Sequence, residues 1–202
     1  SQIMTLFLNQ HVINESLMDK MNMYEYHVIH CCNIRGDFEL KPWPSVVHVF
    51  IKNCPQLRVL PLWPSLNMIQ IINCPNIITL PNWYEVSSVE LRSCSGLTQI
   101  PSWPTVYNML IADCPNIQEL QLLNTIKILM MIDMNNLNKF TGDGYVADLT
   151  IINCFSLTNL PHSHQITIYD WCPGICYPSY AVMLQTDFMI YDLEQELYVW
   201  LK

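Results

Sequence analysis

The feature that most constrains this chain is a recurrence at 20 residues: Trp43, Trp63, Trp83 and Trp103; Cys54, Cys74, Cys94 and Cys114; Pro61, Pro81 and Pro101. A fixed period of this length marks a solenoid, in which each repeat buries its apolar face only against its neighbours. The stretch Leu66 to Pro81, LNMIQIINCPNIITLP, shows the unit whole. Its apolar positions are Leu66, Ile69, Ile71, Cys74, Ile77 and Leu80, with Trp63 and Pro64 leading in.

One half of each repeat alternates as a strand does. Val49 and Ile51, Ile69 and Ile71, Val89 and Leu91, Met109 and Ile111, Leu129 and Met131, and Leu149 and Ile151 fill successive slots. β-Branched residues are common among them. One strand per repeat, always in the same direction, makes a parallel sheet with right-handed coiling. The other half, as in NIITLPNW or GLTQIPSW, is too short and proline-rich for an α-helix. Proline lacks an amide donor and fixes its own φ, so extended or polyproline-like convex segments are expected. Asn53, Asn73, Asp113, Asp133 and Asn153 precede the interior cysteine position, where side-chain bonds to the backbone are expected as the strand ends.

The ends are less regular. Leu6, Leu8 and His11 are aligned with Tyr26, Val28 and Cys31, and these with Val49, Ile51 and Cys54, which calls for three extra residues around Arg35, Gly36 and Asp37. After Leu120 the pattern blurs: Met134 replaces the cysteine, Gln121 and Leu123 replace Pro and Trp, and Gly142, Asp143 and Gly144 enter the outer segment. Matching Cys172 to Cys94 requires two residues to be missing near His162 to Gln165. This register gives nine turns, from His11 to Cys172, and one elongated solenoid over residues 1–177. Residues 178–202 lie outside the pattern. Asp187 as N-cap and Leu193, Leu197 and Trp200 at helical spacing predict a partly helical segment that caps the open end or docks elsewhere.

The skeleton L-x-x-L-x-L-x-x-C-x-x-L-x-x-L-P resembles the leucine-rich repeats, of the short, cysteine-bearing kind. The resemblance implies a leucine-rich repeat solenoid of the right-handed β-α superhelix class, with a parallel β-sheet on the concave face and a C-terminal helical cap. It also implies that the cysteine position points inward. Cys31, Cys54, Cys74, Cys94, Cys114, Cys154 and Cys172 then form a ladder of thiols that behave as small buried hydrophobes. Trp43, Trp63, Trp83 and Trp103, followed by Leu123, are read as a second inward ladder on the convex half. The Cys-Pro and Leu-Pro style is similar to repeats in proteins of large DNA viruses and protists and in plant immune receptors. The repeat length is similar to that of bacterial effectors with L-P-x-L-P repeats, some of which carry a ubiquitin ligase domain. No stretch of this chain is left over for such a domain.

Composition narrows the function classes. Of 202 residues, 51% are hydrophobic and 13% charged, which excludes disorder. The formal charge of -8 and the absence of a basic patch make nucleic acid an unexpected partner. No signal peptide and no long apolar span is recognised, and a ladder of thiols suits a reducing, intracellular compartment, or a virion assembled there. His27, His30, Cys31 and Cys32, His162 with His164, and Cys172 with Cys176 lack the paired spacing of a zinc site. With 5 glycines and no P-loop, dinucleotide motif or nucleophile elbow, neither catalysis, nor a cofactor, nor a small-molecule substrate is expected.

The informative residues are those between the inward strand positions, which alternation turns onto the open sheet face. Phe50, Ile72, Leu110, Ala112, Met130, Ile132 and Ile152 are apolar there, and from Leu110 onward they form a stripe where a solvated sheet would be polar. The expected function is a non-enzymatic protein–protein interaction or self-assembly module, which the resemblance would place in a large virus particle as a structural component. The alternatives are a host-interaction, adaptor or receptor-like recognition domain, and the recognition part of a larger effector enzyme.

Overall fold

The computed structural model describes residues 2–12, 25–169, 172–175, 187–192 and 197–201. They form a parallel β-solenoid of stacked coils, divided into two compact units, Ser1–Val106 and Tyr107–Lys202.

In the first unit, β1 (Thr5–Leu8), β2 (Val28–Cys32), β3 (His48–Lys52), β4 (Met68–Ile72) and β5 (Ser88–Arg92) lie side by side in chain order. Ile51 pairs with Ile71 and Ile71 with Leu91, so a position stacks on its own equivalent 20 residues away. Val49, Ile51, Cys54, Leu57, Leu60, Trp63 and Leu66 of one turn are all buried. Burial thus alternates along the strand and then falls on every third residue from Cys54 to Leu66, the period of a polyproline-like segment.

From β2 to β5 each strand is followed by a residue in the left-handed region, and the second unit repeats the device. Asn33, Asn53, Asn73 and Ser93, and in the second unit Asp113, Asp133 and Asn153, have φ between 50 and 56°. Short polar side chains tolerate this conformation best. The amide of Asn53 then donates to the carbonyl of Ile72, and that of Asn73 to Arg92, so the bend itself is tied to the next turn. Their side chains also bond to one another, Asn53 Nδ2 donating to Asn33 Oδ1 and Asn73 Nδ2 to Asn53 Oδ1, each at 2.9 Å.

This bend corrects the register of the first turns. Cys31 pairs with Ile51, not with the cysteine column, and Ile34 occupies the column position below Cys54. No insertion exists at Arg35 to Asp37; the offset is 20 from β2 to β5. The three extra residues fall between β1 and β2, because Thr5 pairs with Val28. His11 is exposed rather than interior. Cys31 misled the alignment because a buried strand position accepts a thiol as readily as an aliphatic group.

The tryptophans are held by both stacking and hydrogen bonds. The rings of Trp63 and Trp83 lie 6.4 Å apart, and those of Trp83 and Trp103 5.7 Å apart, in stacked geometry. Each Nε1 donates to the backbone of the preceding turn: Trp63 to Lys41, Trp83 to Pro61 and Trp103 to Pro81. A buried indole N–H without an acceptor would cost about 1–3 kcal/mol, which these carbonyls avoid. Trp43 Nε1 has no acceptor among the described residues.

The second unit contains β6 (Asn108–Ala112), β7 (Glu119–Gln121), β8 (Thr125–Ile132), β9 (Lys139–Thr141), β10 (Tyr145–Ile152), β11 (His162–Tyr169), β12 (Asp187–Asp192) and β13 (Leu197–Leu201). Its main sheet runs β6-β8-β10-β11-β12-β13, and β7 pairs with β9 separately. That small pair has a chemical cause. Proline stands at 61, 81 and 101, but Gln121 and Thr141 carry amide hydrogens, so these outer segments can join in a ladder, and Leu122 N donates to Thr141 O at 2.8 Å. With the pairing, Leu122 turns inward and Leu123 is 52% exposed, so the tryptophan ladder is not continued by Leu123. At the last turn Ile151 pairs with Ile168, an offset of 17, and Cys172 Sγ donates to Cys154 O from the buried column position.

The expected helical cap is not observed, and no helix is present among the described residues to support a β-α superhelix. β12 instead continues the sheet parallel to β11, and β13 folds back antiparallel on β12. The spacing of Leu197 and Trp200 fits a helix, but Leu197, Val199 and Leu201 also alternate, and Tyr, Val and Trp favour strands. Leu193, Cys176 and Pro178 lie outside the described residues.

Two tests follow from this packing. Ile71→Asp places an unpaired carboxylate in the core, at a cost of several kcal/mol against a total of about 5–15. Ile72→Asp lies on the open face between Lys52 and Arg92 and is tolerated. Circular dichroism melts should separate the two variants widely. Deleting 187–202 uncovers the edge of β11; it should lower the midpoint of the last turns and promote aggregation while leaving hydrogen exchange of β3 and β4 unchanged.

Candidate protein-binding face

Side chains that alternate out of the core lie on the open face of each unit's sheet, and the two faces differ in chemistry. In the first unit, pairing aligns Phe7, His30, Phe50, Gln70 and Glu90 in one row. His30 sits between Phe7 and Phe50 with ring centroids 5.3 Å from each. The row then becomes polar. Gln70 Nε2 donates to Glu90 Oε2 at 2.7 Å, His48 Nε2 and Gln70 Oε1 are 3.3 Å apart, and Arg92 Nε donates to Glu90 Oε1 at 3.0 Å. Phe50 therefore belongs to an aromatic row, and Ile72 is isolated between Lys52 and Arg92. The wrong register of the first turns hid His30 from the sequence reading, since it turned the side chains of β2 to the opposite faces.

The second unit gathers the other predicted residues. Leu110 pairs with Met130 and Met130 with Thr150, while Ala112 pairs with Ile132 and Ile132 with Ile152. β11 adds Thr167 and Tyr169 to these two rows. Neither row contains a charge. A third row, Asn108, Ile128, Asp148 and Gln165, brings one carboxylate to the margin. With strands about 4.8 Å apart and same-face residues about 6.6 Å apart along them, the uncharged rows cover on the order of a few hundred Å². Most of these side chains are half-buried by their lateral neighbours, and Ala112 is only 5% exposed, so the face is shallow and lacks protruding anchors. Thr167 and Tyr169 were missed because the offset to β11 is 17 rather than 20.

The tail does not lie across this face: described residues of β12 and β13 are in the plane of the sheet, beyond β11. Among the described residues, no three His, Cys, Asp or Glu side chains are arranged to hold a metal ion. No helix among them is long and apolar enough to cross a membrane. Of the cysteines in the predicted ladder, Cys54, Cys74, Cys94, Cys114, Cys154 and Cys172 stand in the interior column, and Cys31 is buried at its side. The Cys154 thiol is pushed up to about 12, chiefly by burial, as expected of a cysteine that packs rather than reacts. Compared with family models, curated proteins and solved structures, the chain matches none of them.

Proposed function

We propose that the chain is a non-enzymatic protein-interaction module whose second unit docks a protein partner on the open face of β6, β8, β10 and β11. The observation that carries this reading is the pair of uncharged rows headed by Leu110 and Ala112. A sheet face left to water alternates apolar-in with polar-out, and these rows do not. The shallowness of the face favours a protein surface over a small molecule, which binds in concave pockets. The formal charge of -8 opposes nucleic acid as the occupant. A face with no charge at its centre suits a lasting contact, since obligate interfaces are the more apolar ones. The repeat skeleton supports grouping these turns with the short leucine-rich repeats.

The test is a paired substitution. Met130→Lys with Ile132→Glu should leave the thermal midpoint nearly unchanged, because both side chains are on the open face, with a stability change of about 1 kcal/mol or less. Native mass measurement of the protein purified from its source should find a stoichiometric assembly for the wild type and none for the variant, and the isolated variant should bind less hydrophobic dye. Phe50→Lys in the first unit should leave the assembly intact. A double variant that still assembles as wild type would place the contact elsewhere.

A further inference from the structure

Among the described strands of the first unit, the second inward position is aliphatic on all but one. Leu8, Ile51, Ile71 and Leu91 fill it on β1, β3, β4 and β5, and Cys31 fills it on β2. Cys31 Sγ lies 3.9 Å from the Sγ of Cys54, the first thiol of the interior column, and both residues are fully buried. The two are not stacked equivalents. Successive column cysteines are separated at Cβ by a strand spacing, about 4.8 Å, whereas a disulfide needs about 3.5–4.5 Å between Cβ atoms. Cys31 approaches Cys54 from the side, from a strand end to a turn, and is not bound by that spacing.

We propose that Cys31 and Cys54 form a redox-modification site that closes into a disulfide between adjacent turns when a hydroperoxide reaches the core. Either sulfur of the 3.9 Å contact can act as hydrogen-bond donor, and burial opposes the thiolate at both residues, so the reaction starts from the two thiols. The Cys54 sulfur attacks the O–O bond of hydrogen peroxide, forming a sulfenic acid and releasing one water once the displaced hydroxide takes the thiol proton. The Cys31 sulfur then attacks the Cys54 sulfur, the S–O bond breaks, and a second water leaves with the Cys31 proton. Two thiols and one peroxide give one disulfide and two waters. The cross-link ties β2 to the following turn.

The experiment treats the folded wild-type chain with hydrogen peroxide, alkylates the remaining thiols, and maps linkages by mass spectrometry without reduction. The Cys31→Ile variant carries the residue found at the same position in β3 and β4, so its fold is retained, as melts will verify; Cys32→Ser removes the partly exposed neighbour. The expected result is a Cys31–Cys54 link in wild type and Cys32→Ser, none in Cys31→Ile, and several-fold slower proteolysis of the first turns that dithiothreitol reverses. A link that survives Cys31→Ile and vanishes in Cys32→Ser, a link between Cys54 and Cys74, or oxidation confined to Cys32 would each overturn the proposal.

Discussion

Backbone hydrogen bonding between strands held at a constant offset is the constraint on which the rest of the structure depends. Because Ile51 pairs with Ile71, and Ile71 with Leu91, every other position in those turns must also meet its own equivalent. A residue therefore has to be compatible with a copy of itself about 4.8 Å away. Leu, Ile, Val, Cys and Trp satisfy this inside, where the stacked surface excludes water. Asparagine satisfies it at the bend, where one amide can donate to the next. In the second unit the bend holds Asp113 and Asp133 in adjacent turns, and Asn153 Nδ2 donates to Asp133 Oδ1 at 2.7 Å.

The same constraint explains why departures from the repeat are informative. Where proline gives way to Gln121 and Thr141, the outer segments gain donors and pair. Where an aliphatic strand residue gives way to Cys31, a second thiol meets the column. Where polar residues give way to Leu110, Met130 and Ile132, a face that solvent would select to be polar loses that character. None of these changes disturbs the backbone offset, so the solenoid carries them at little cost while its surface and reactivity change locally.

Much of this architecture was legible in the 20-residue recurrence of Trp, Cys and Pro, since a residue that must stack on itself is visible as repetition. The strand positions from Val49 to Ile151 and the apolar rows of the second unit followed from period-two alternation. The first turns were misread because the eye follows cysteine, whereas the true marker of register is the left-handed residue: Asn33 aligns with Asn53, and Ile34 with Cys54. The tail was misread because a short segment with Leu197 and Trp200 satisfies helical and strand periods alike. Only the availability of an edge on β11 decides between them, and an edge is a tertiary fact. The closeness of Cys31 to Cys54 was hidden by the same error of register.

The prolines at 61, 81 and 101 have a mechanical consequence. Turns that hydrogen-bond along one side only resemble the leaves of a bound book, with the strand ladder as the spine and the proline-bearing segments as the free margin. In the first unit that margin is closed by side-chain packing and by side-chain hydrogen bonds, those of the tryptophan N–H groups among them. Between Glu119 and Thr141 the margin is stitched as well, by the ladder of β7 and β9 and by the ion pair of Lys139 with Glu119 at 3.7 Å. Compliance under load is therefore distributed unevenly along the chain: proline-bearing turns can fan apart while keeping their spine, and the stitched turns resist the same splay.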